Sequence, residues 1–169
     1  MPVIVRPEKD QDHEVVAELV RIAFLGNAHS DGGEPRIIER LRVRGELSVS
    51  LVATREGAVA GHIAFSPVSM DPEARGWYGL GPLAVDPSCQ REGVGSLLVR
   101  EGLNLLRARR ASGCVVFGSP AYYGRLGFQV FDRLVYPGGP PQYFLAQAFN
   151  GVVPQSVVSY SEAFAVSAR

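Results

Sequence analysis

GPLAVDPSCQREGVGSLLVREGLNLLRARR, residues 81–110, is the stretch that decides the fold. It opens with a short apolar run at 83–85, and a polar turn that carries Gly93 and Gly95 follows. From Val94 onward the apolar residues recur at helical spacing, with polar residues on the other side of the helix. The pattern predicts a strand, a glycine turn and a long helix in direct succession.

The glycine turn in front of this helix points to an anionic ligand. The first N–H groups of a helix have no partner inside it, and the helix dipole adds partial positive charge there, so a phosphate fits without dedicated side-chain charges. Gly93 and Gly95 remove side chains where such a ligand approaches the backbone. A lone G-x-G, however, more often marks a tight connection with glycines for steric relief.

Two motifs in the right order are more specific than either alone. Residues 90–95, QREGVG, match the signature Q/R-x-x-G-x-G/A, and residues 122–128, YYGRLGF, match a Y-x-x-x-G-F segment. With both motifs, the chain resembles the GCN5-related N-acetyltransferase (GNAT) superfamily from about residue 3 to at least residue 131. The variant PAYYGRLGF is similar to that of the subgroup of predicted acetyltransferases named after YhbS.

The resemblance implies one GNAT-like domain over residues 1–169, of mixed α/β (α+β) class, and this length suits one domain. The implied sheet is twisted, mixed and mostly antiparallel, with about seven strands, helices on both faces and a splayed central parallel pair. The apolar run at 114–117 predicts a strand buried on both faces and paired in parallel with the central strand. Gly79, Gly81 and Pro82 weaken a regular strand and predict a bulge.

Hydrophobic periodicity predicts the remaining elements. In chain order they are a strand at 3–6, helices to about residue 24 and over 35–43, a hairpin of 48–54 and 59–68, a short helix over 121–126, and strands at 128–131, 143–149 and 157–166. Asp10 or Asp12 offers an N-cap to the first helix. We expect all strands to join one mixed sheet.

Composition excludes several classes of function. Lys plus Arg and Asp plus Glu number 17 each, so the formal net charge is zero and no overall field favours nucleic acid or an anionic membrane. Cys89, Cys114 and three scattered histidines lack a metal-ligand spacing, so we expect no metal. No apolar run reaches signal-peptide length or the roughly 20 residues of a membrane span, so a cytoplasmic protein is expected.

The resemblance implies an acyl-CoA-dependent N-acyltransferase that moves an acetyl group from acetyl-CoA to the amine of an unidentified acceptor. In the superfamily, a bulged strand splays from its neighbour and leaves a V-shaped slot for the pantetheine arm. Backbone groups of Leu83 and Val85 would pair with pantetheine amides, and the Leu83 N–H would polarise the thioester carbonyl. The implied cofactor-binding residues are Leu83, Ala84, Val85, Gln90, Arg91, Glu92, Gly93, Val94, Gly95, Ser96 and Tyr122.

The resemblance also implies an acid but no base. Tyr123 matches the tyrosine that protonates the departing thiolate, and a phenol with a pKa of about 10 keeps its proton at neutral pH. Some relatives carry a glutamate six residues before the position of Val85, but this chain has Gly79 there. The base is therefore left open between a water relay, a carboxylate or imidazole from Asp31, Glu34 or His29, and an amine that arrives neutral.

The polar, glycine-rich loop at 26–34 lies between the first two predicted helices. In the superfamily this loop forms one wall of the acceptor site, so His29, Asp31 and Glu34 are candidate substrate-binding residues. A flexible connection would have the same composition. The loop suits a small molecule or a peptide terminus as the acceptor. The strands predicted at 143–149 and 157–166 could pair with a second copy of the chain, so a homodimer is possible.

Two other functions compete with acetyl transfer. The missing glutamate at position 79 motivates a catalytically inactive acyl-CoA-binding sensor or interaction module. A nucleotide-binding domain ranks last, because the turn lacks the G-x-x-x-x-G-K-[ST] phosphate loop and position 98 is leucine, where a dinucleotide fingerprint has a glycine.

Overall fold

A computed structural model of the chain describes residues 2–27 and 30–165. The strands in these ranges are β1 Val3–Pro7, β2 Val49–Arg55, β3 Ala58–Pro67, β4 Ser69–Asp71, β5 Trp77–Val85, β6 Gly113–Phe117, β7 Leu134–Val135, β8 Phe144–Ala148 and β9 Ser156–Ser159. The α-helices are α1 His13–Ala23, α2 Glu34–Val43, α3 Val94–Ala108 and α4 Pro120–Gly124. Among the described residues, no helix is long and apolar enough to cross a membrane.

The main sheet has six strands in the order β1-β2-β3-β5-β6-β8. All neighbours are antiparallel except β5 and β6, which are parallel. This confirms the predicted mixed sheet with its central parallel pair. The strand predicted at 128–131 was wrong, because only Gln129 bridges to Ala146, and the chain turns away where the Leu134 N–H bonds to Phe131 O.

A second sheet of three strands, in the order β4-β9-β7, lies beside the main one. Of the strand predicted at 157–166, the described residues up to 165 form strand only within Ser156–Ser159, which pairs with β4 and β7. The expectation of one sheet was therefore wrong. Alternating apolar and polar residues predict that a strand forms. Which strand it pairs with depends on contacts between segments distant in sequence.

Helices cover both faces of the main sheet, as predicted. On one face, Leu98 and Leu103 of α3 pack against Ile63 and Phe65 of β3. Gly102 allows this close approach, because a Cβ there would lie 2.1 Å from Phe65 Cε1. A buried side chain of this kind contributes about 1.5–3 kcal/mol. We call this the α3 face.

The opposite face is covered by the first two helices. Val16 and Val20 of α1 and Ile38 of α2 pack against Val52 and Ala84. Further along the same face, the second sheet and Tyr160 pack over β5 and β6. We call this the α1 face.

The parallel pair β5 and β6 separates partway along its length. It pairs only at Trp77–Gly113, Tyr78–Cys114 and Gly79–Val115. Beyond Gly79, β5 pairs with β3 alone, and its register shifts by one residue where Gly81 adopts φ +134°. The predicted bulge is thus confirmed, and the gap beyond Gly79 is called the slot.

Candidate active site

A cavity of about 670 Å³ opens where the slot meets the N-terminus of α3 and the short helix α4. It is lined by Leu83, Val85, Cys89, Gln90, Arg91, Gly93, Val94, Gly95, Ser96, Arg100, Tyr122, Arg125 and Leu126. Three of these side chains are arginines and none is acidic. The lining therefore favours an anionic ligand.

The N-terminus of α3 supplies backbone donors to this cavity. Gly93 is the N-cap residue with φ +87°, in the left-handed region that favours glycine. No side chain caps the helix, so its first N–H groups keep their capacity for an external acceptor. Arg91, Arg100 and Arg125 line the same cavity. The combination of helix dipole, uncapped N–H groups and cations fits a phosphate or pyrophosphate.

Tyr122 closes one side of the cavity against the first turn of α3. A Cβ at Gly95 would lie 2.7 Å from the Tyr122 hydroxyl oxygen, so only glycine leaves room for this contact. The Ser96 hydroxyl donates to the same oxygen over 3.4 Å. Tyr122 therefore lies at the helix end of the cavity.

Beyond Gly79, no described strand pairs with the edge of β5 that faces the slot. The Asp86 N–H donates to Ala60 O of β3 over 2.8 Å. Because successive residues of an antiparallel pair direct their backbone groups to opposite edges, those of Leu83 and Val85 face the slot. The Gln90 side-chain amide donates to Val85 O over 3.1 Å, which agrees with this direction. The slot thus offers N–H and C=O groups to an extended ligand.

Tyr123 lies deeper than Tyr122 and on the β6 side of the slot. Its ring meets the Tyr122 ring edge-on with centroids 4.9 Å apart. A Cβ at Gly118, just after β6, would lie 2.7 Å from Tyr123 Cε2. Burial raises the pKa of Tyr123, so its phenol keeps the proton well above neutral pH. The side chain is not part of the cavity lining.

Two predicted cofactor-binding residues do not line the cavity. The Ala84 side chain is buried on the α1 face, and the residue is in register with His62 of β3. Glu92 forms an ion pair with Arg55 at 2.8 Å and points away from the cavity lining. The alternation of strand residues explains the position of the Ala84 side chain, and the ion pair with Arg55 explains that of Glu92.

Sequence reasoning missed four lining residues, Cys89, Arg100, Arg125 and Leu126. Arg100 follows Ser96 by one helical turn, and residues four apart share a helix face, so this spacing could have revealed it. Arg125 and Leu126 belong to the second motif but were not assigned a role. The Asp86 side chain accepts from Ser88 N over 2.8 Å and so caps the turn that follows β5.

Of the three predicted acceptor-binding residues, Asp31 and Glu34 do not line this cavity. His29 lies outside the described residues. Asp31 accepts from Gly33 N over 2.9 Å, and Glu34 accepts from the Ser30 hydroxyl over 2.5 Å. These bonds hold the loop between α1 and α2 together, and the substrate role of its residues stays a prediction. Among the described residues, no group of His, Cys, Asp and Glu side chains could hold a metal ion.

The same region of the chain matches a known family. The model of the acetyltransferase (GNAT) family matches residues 14–128, which include the slot, α3 and α4. The Escherichia coli K12 protein YhbS, described as an uncharacterized N-acetyltransferase, is 35% identical over 170 residues, which cover 95% of this chain and 98% of YhbS.

Two solved structures resemble the chain over nearly its whole length. A GNAT family acetyltransferase from Brucella melitensis, in complex with acetyl-CoA, is 41% identical with a TM-score of 0.86 and covers 96% of this chain and 98% of its own. YhbS from Escherichia coli, in complex with CoA, is 32% identical with a TM-score of 0.86, and the shares are 97% and 92%.

Proposed function

Because this chain belongs to the GNAT family of acetyltransferases, we propose that it moves an acetyl group from acetyl-CoA to the amine of an acceptor by direct attack. One observation carries the proposal: the uncapped, arginine-lined N-terminus of α3 opens into the same cavity as the edge of β5 that no described strand covers. A phosphate end and an extended amide-bearing arm are the two parts of CoA that such a cavity fits. The acetyl-CoA and CoA complexes of the two similar structures support this choice.

The residues divide between the two parts of the cofactor. The N–H groups at the start of α3, with Arg91, Arg100 and Arg125, would bind the phosphates. The slot-facing backbone groups of Leu83 and Val85 would pair with the pantetheine amides as an added strand does. The Gln90 side-chain amide donates a hydrogen bond to Val85 O. When the cofactor binds, this amide would either retain that hydrogen bond or donate to the cofactor instead.

The reaction needs alignment, a donor for the developing oxyanion and two proton transfers. The amine lone pair attacks the thioester carbon, and the carbonyl oxygen becomes negative within reach of the Leu83 N–H. This attack forms the C–N bond, and the nitrogen loses one proton to water. The C–S bond then breaks and releases the CoA thiolate. The thiolate takes a proton from Tyr123, which recovers it from solvent.

Tyr123 suits the acid role better than its neighbour does. The Tyr122 hydroxyl lies beside Ser96 at the phosphate end, whereas Tyr123 packs toward Gly118 and β6. The raised pKa of Tyr123 keeps the donor protonated at physiological pH. The acceptor, a small molecule or a peptide terminus, would approach past the loop that carries His29, Asp31 and Glu34.

A turnover assay tests the proposal. Purified protein with acetyl-CoA and a panel of primary amines should release CoA only when an amine is present, and amine-dependent release should depend on the Tyr123 hydroxyl. Saturable binding of acetyl-CoA without turnover of any amine would instead favour the sensor hypothesis. Failure to bind acetyl-CoA at all would contradict both.

A further inference from the structure

Tyr160 occupies the space above the closed end of the slot. Gly79 is the last residue of β5 that pairs with β6, through Val115. A Cβ at Gly79 would lie 2.5 Å from Tyr160 Cε1 and 3.0 Å from Tyr160 Cδ1. A side chain at position 79 and the ring of Tyr160 therefore exclude each other. Tyr160, which directly follows β9, thus lies beside Gly79, where β5 has no side chain of its own.

The Tyr160 hydroxyl oxygen is buried and has no hydrogen-bond partner among the described residues. Ser66, which faces Gly79 in register from β3, has a buried hydroxyl in the same state. Buried polar groups without partners are uncommon and cost stability, so each requires an explanation. A partner that arrives only with a ligand is one such explanation.

Tyr160 lies on the α1 face, opposite Tyr123. Its ring packs edge-on against Tyr136 with centroids 5.2 Å apart, in the cluster that contains Val115. Tyr123 packs in the cluster that contains Cys114, whose side chain points to the α3 face. The Tyr160 Cε1 atom lies 2.5 Å from where a Gly79 Cβ would be, so the Tyr160 ring stands beside the last residue of β5 that pairs with β6.

We propose that Tyr160 belongs to the acceptor half of the active site, where its hydroxyl oxygen accepts a hydrogen bond from the attacking amine and orients the nitrogen lone pair toward the acetyl carbon. This assignment rests on the proposed function. With the thioester held in the slot, Tyr123 meets the sulfur from the α3 face and Tyr160 meets the amine from the α1 face.

The role is contact and positioning, and not removal of a proton. Burial raises the pKa of Tyr160, so its phenol keeps the proton at neutral pH and its oxygen is available to accept a hydrogen bond. The C–N bond forms and the C–S bond breaks as described above, the amine proton goes to water, and Tyr160 ends the reaction unchanged. The unpaired Ser66 hydroxyl, in register with Gly79, offers a second polar contact on the same face.

Binding of a bisubstrate conjugate tests this assignment without the natural acceptor. The probe is CoA whose sulfur carries a CH₂–C(=O)–NH–propyl group, so that an amide N–H stands where the amine would be. Calorimetry would compare the conjugate and CoA on wild type, Tyr160→Phe and Tyr136→Phe. Tyr136→Phe is a matched control, because it removes a hydroxyl from the ring packed against Tyr160.

We expect Tyr160→Phe to bind the conjugate about fivefold to tenfold more weakly than wild type does, as loss of one hydrogen bond predicts. CoA affinity should be the same in all three proteins. The melting temperature of Tyr160→Phe should not fall, because the hydroxyl has no partner in the described part of the free protein. A residue with a purely structural role would lower the melting temperature and leave the conjugate's affinity unchanged.

Equal affinity of wild type and Tyr160→Phe for the conjugate would overturn the assignment, and so would an equal loss for CoA, since Tyr160 would then contact the cofactor. A wild type that binds neither ligand would instead refute the proposed function, and the assignment with it. If Tyr160→Phe does not fold, a crystal structure of wild type with the conjugate tests the assignment instead. The Tyr160 oxygen must then lie within about 3.2 Å of the amide nitrogen.

Discussion

Gly79 and Val115 form the last pair between β5 and β6, and beyond them the two parallel strands no longer pair. The bulge at Gly81 turns the backbone of β5 so that Leu83 and Val85 face the gap. The long helix α3 begins at the mouth of that gap with uncapped N–H groups. A single interruption of the sheet thus creates both the slot for an extended arm and the approach to an anion site.

Tyr123→Phe should lower kcat with an active amine about 100-fold or more, because general acid catalysis contributes roughly 10²–10⁴-fold. The KM for acetyl-CoA should change little, since the side chain is not part of the cavity lining. Steady-state kinetics over a pH series provide the measurement. Because the pKa of Tyr123 is raised, wild-type kcat should not decline from loss of this proton until the pH exceeds about 10.

The matched control is Tyr143→Phe, which removes the hydroxyl of an exposed tyrosine that is not part of the cavity lining. It should retain wild-type kcat. Full activity of Tyr123→Phe would show that the thiolate takes its proton from water and would remove Tyr123 from the mechanism.

Arg100→Ala should weaken CoA binding roughly tenfold, as expected for the loss of a charge-assisted contact to phosphate. Arg100 lines the cavity and has no ion-pair partner among the described residues. Titration at several salt concentrations should also show a shallower salt dependence for the variant. Arg21→Ala, which removes the same charge from an exposed ion pair on α1, should bind CoA like wild type.

Much of this site could be predicted from the sequence because its parts are adjacent in the chain. The strand, the turn at Gly93 and the helix occupy one segment, and the glycines and the proline before Leu83 indicate the bulge directly. Arg100 was missed although its helical spacing from Ser96 carries the information, because an arginine on an exposed helix face needs no function.

The remainder depends on contacts between distant segments. No local sequence pattern indicates that β9 pairs with β4 rather than with the main sheet. Likewise, none predicts that Tyr160 packs over Gly79. The sequence shows that position 79 lacks a side chain. It does not show that Tyr160, about 80 residues later in the chain, occupies the space beside it. Hydrophobic alternation specifies strands and not their partners.

Asp12→Asn should lower the free energy of unfolding by about 1–2 kcal/mol at pH 7. Arg6 forms two hydrogen bonds with the Asp12 carboxylate, at 2.7 and 3.0 Å, and lowers its pKa to about 2. A depressed carboxyl pKa stabilises the fold fully above the unfolded pKa of about 4, and this contribution is lost as the pH falls toward 2.

Urea unfolding at pH 7 and at pH 2.5 measures this effect. The difference between wild type and Asp12→Asn should shrink strongly at the lower pH, whereas the exposed Asp132→Asn should match wild type at both. A difference that is the same at both pH values would show that the ionisation of Asp12 is not its cause.

Gly102→Ala should destabilise the protein by about 1–3 kcal/mol, because the added Cβ would overlap the Phe65 ring. Gly124→Ala provides the comparison, since a Cβ there meets nothing within 4 Å. In thermal unfolding, Gly102→Ala should melt below wild type and Gly124→Ala at or above it. A Gly102→Ala protein as stable as wild type would mean that α3 lies farther from β3 than described.

The central claim, that the start of α3 and the slot together bind acetyl-CoA, is tested most directly by calorimetric titration of wild type, Gly95→Asp and Asn104→Asp with acetyl-CoA. Gly95→Asp places a side chain against Tyr122 and a negative charge at the phosphate site, whereas Asn104→Asp adds the same charge on an exposed part of the same helix. We expect wild type and Asn104→Asp to bind equally and Gly95→Asp, shown to be folded by circular dichroism, to lose binding. Unchanged affinity in a folded Gly95→Asp protein, or no binding by wild type, would contradict the account.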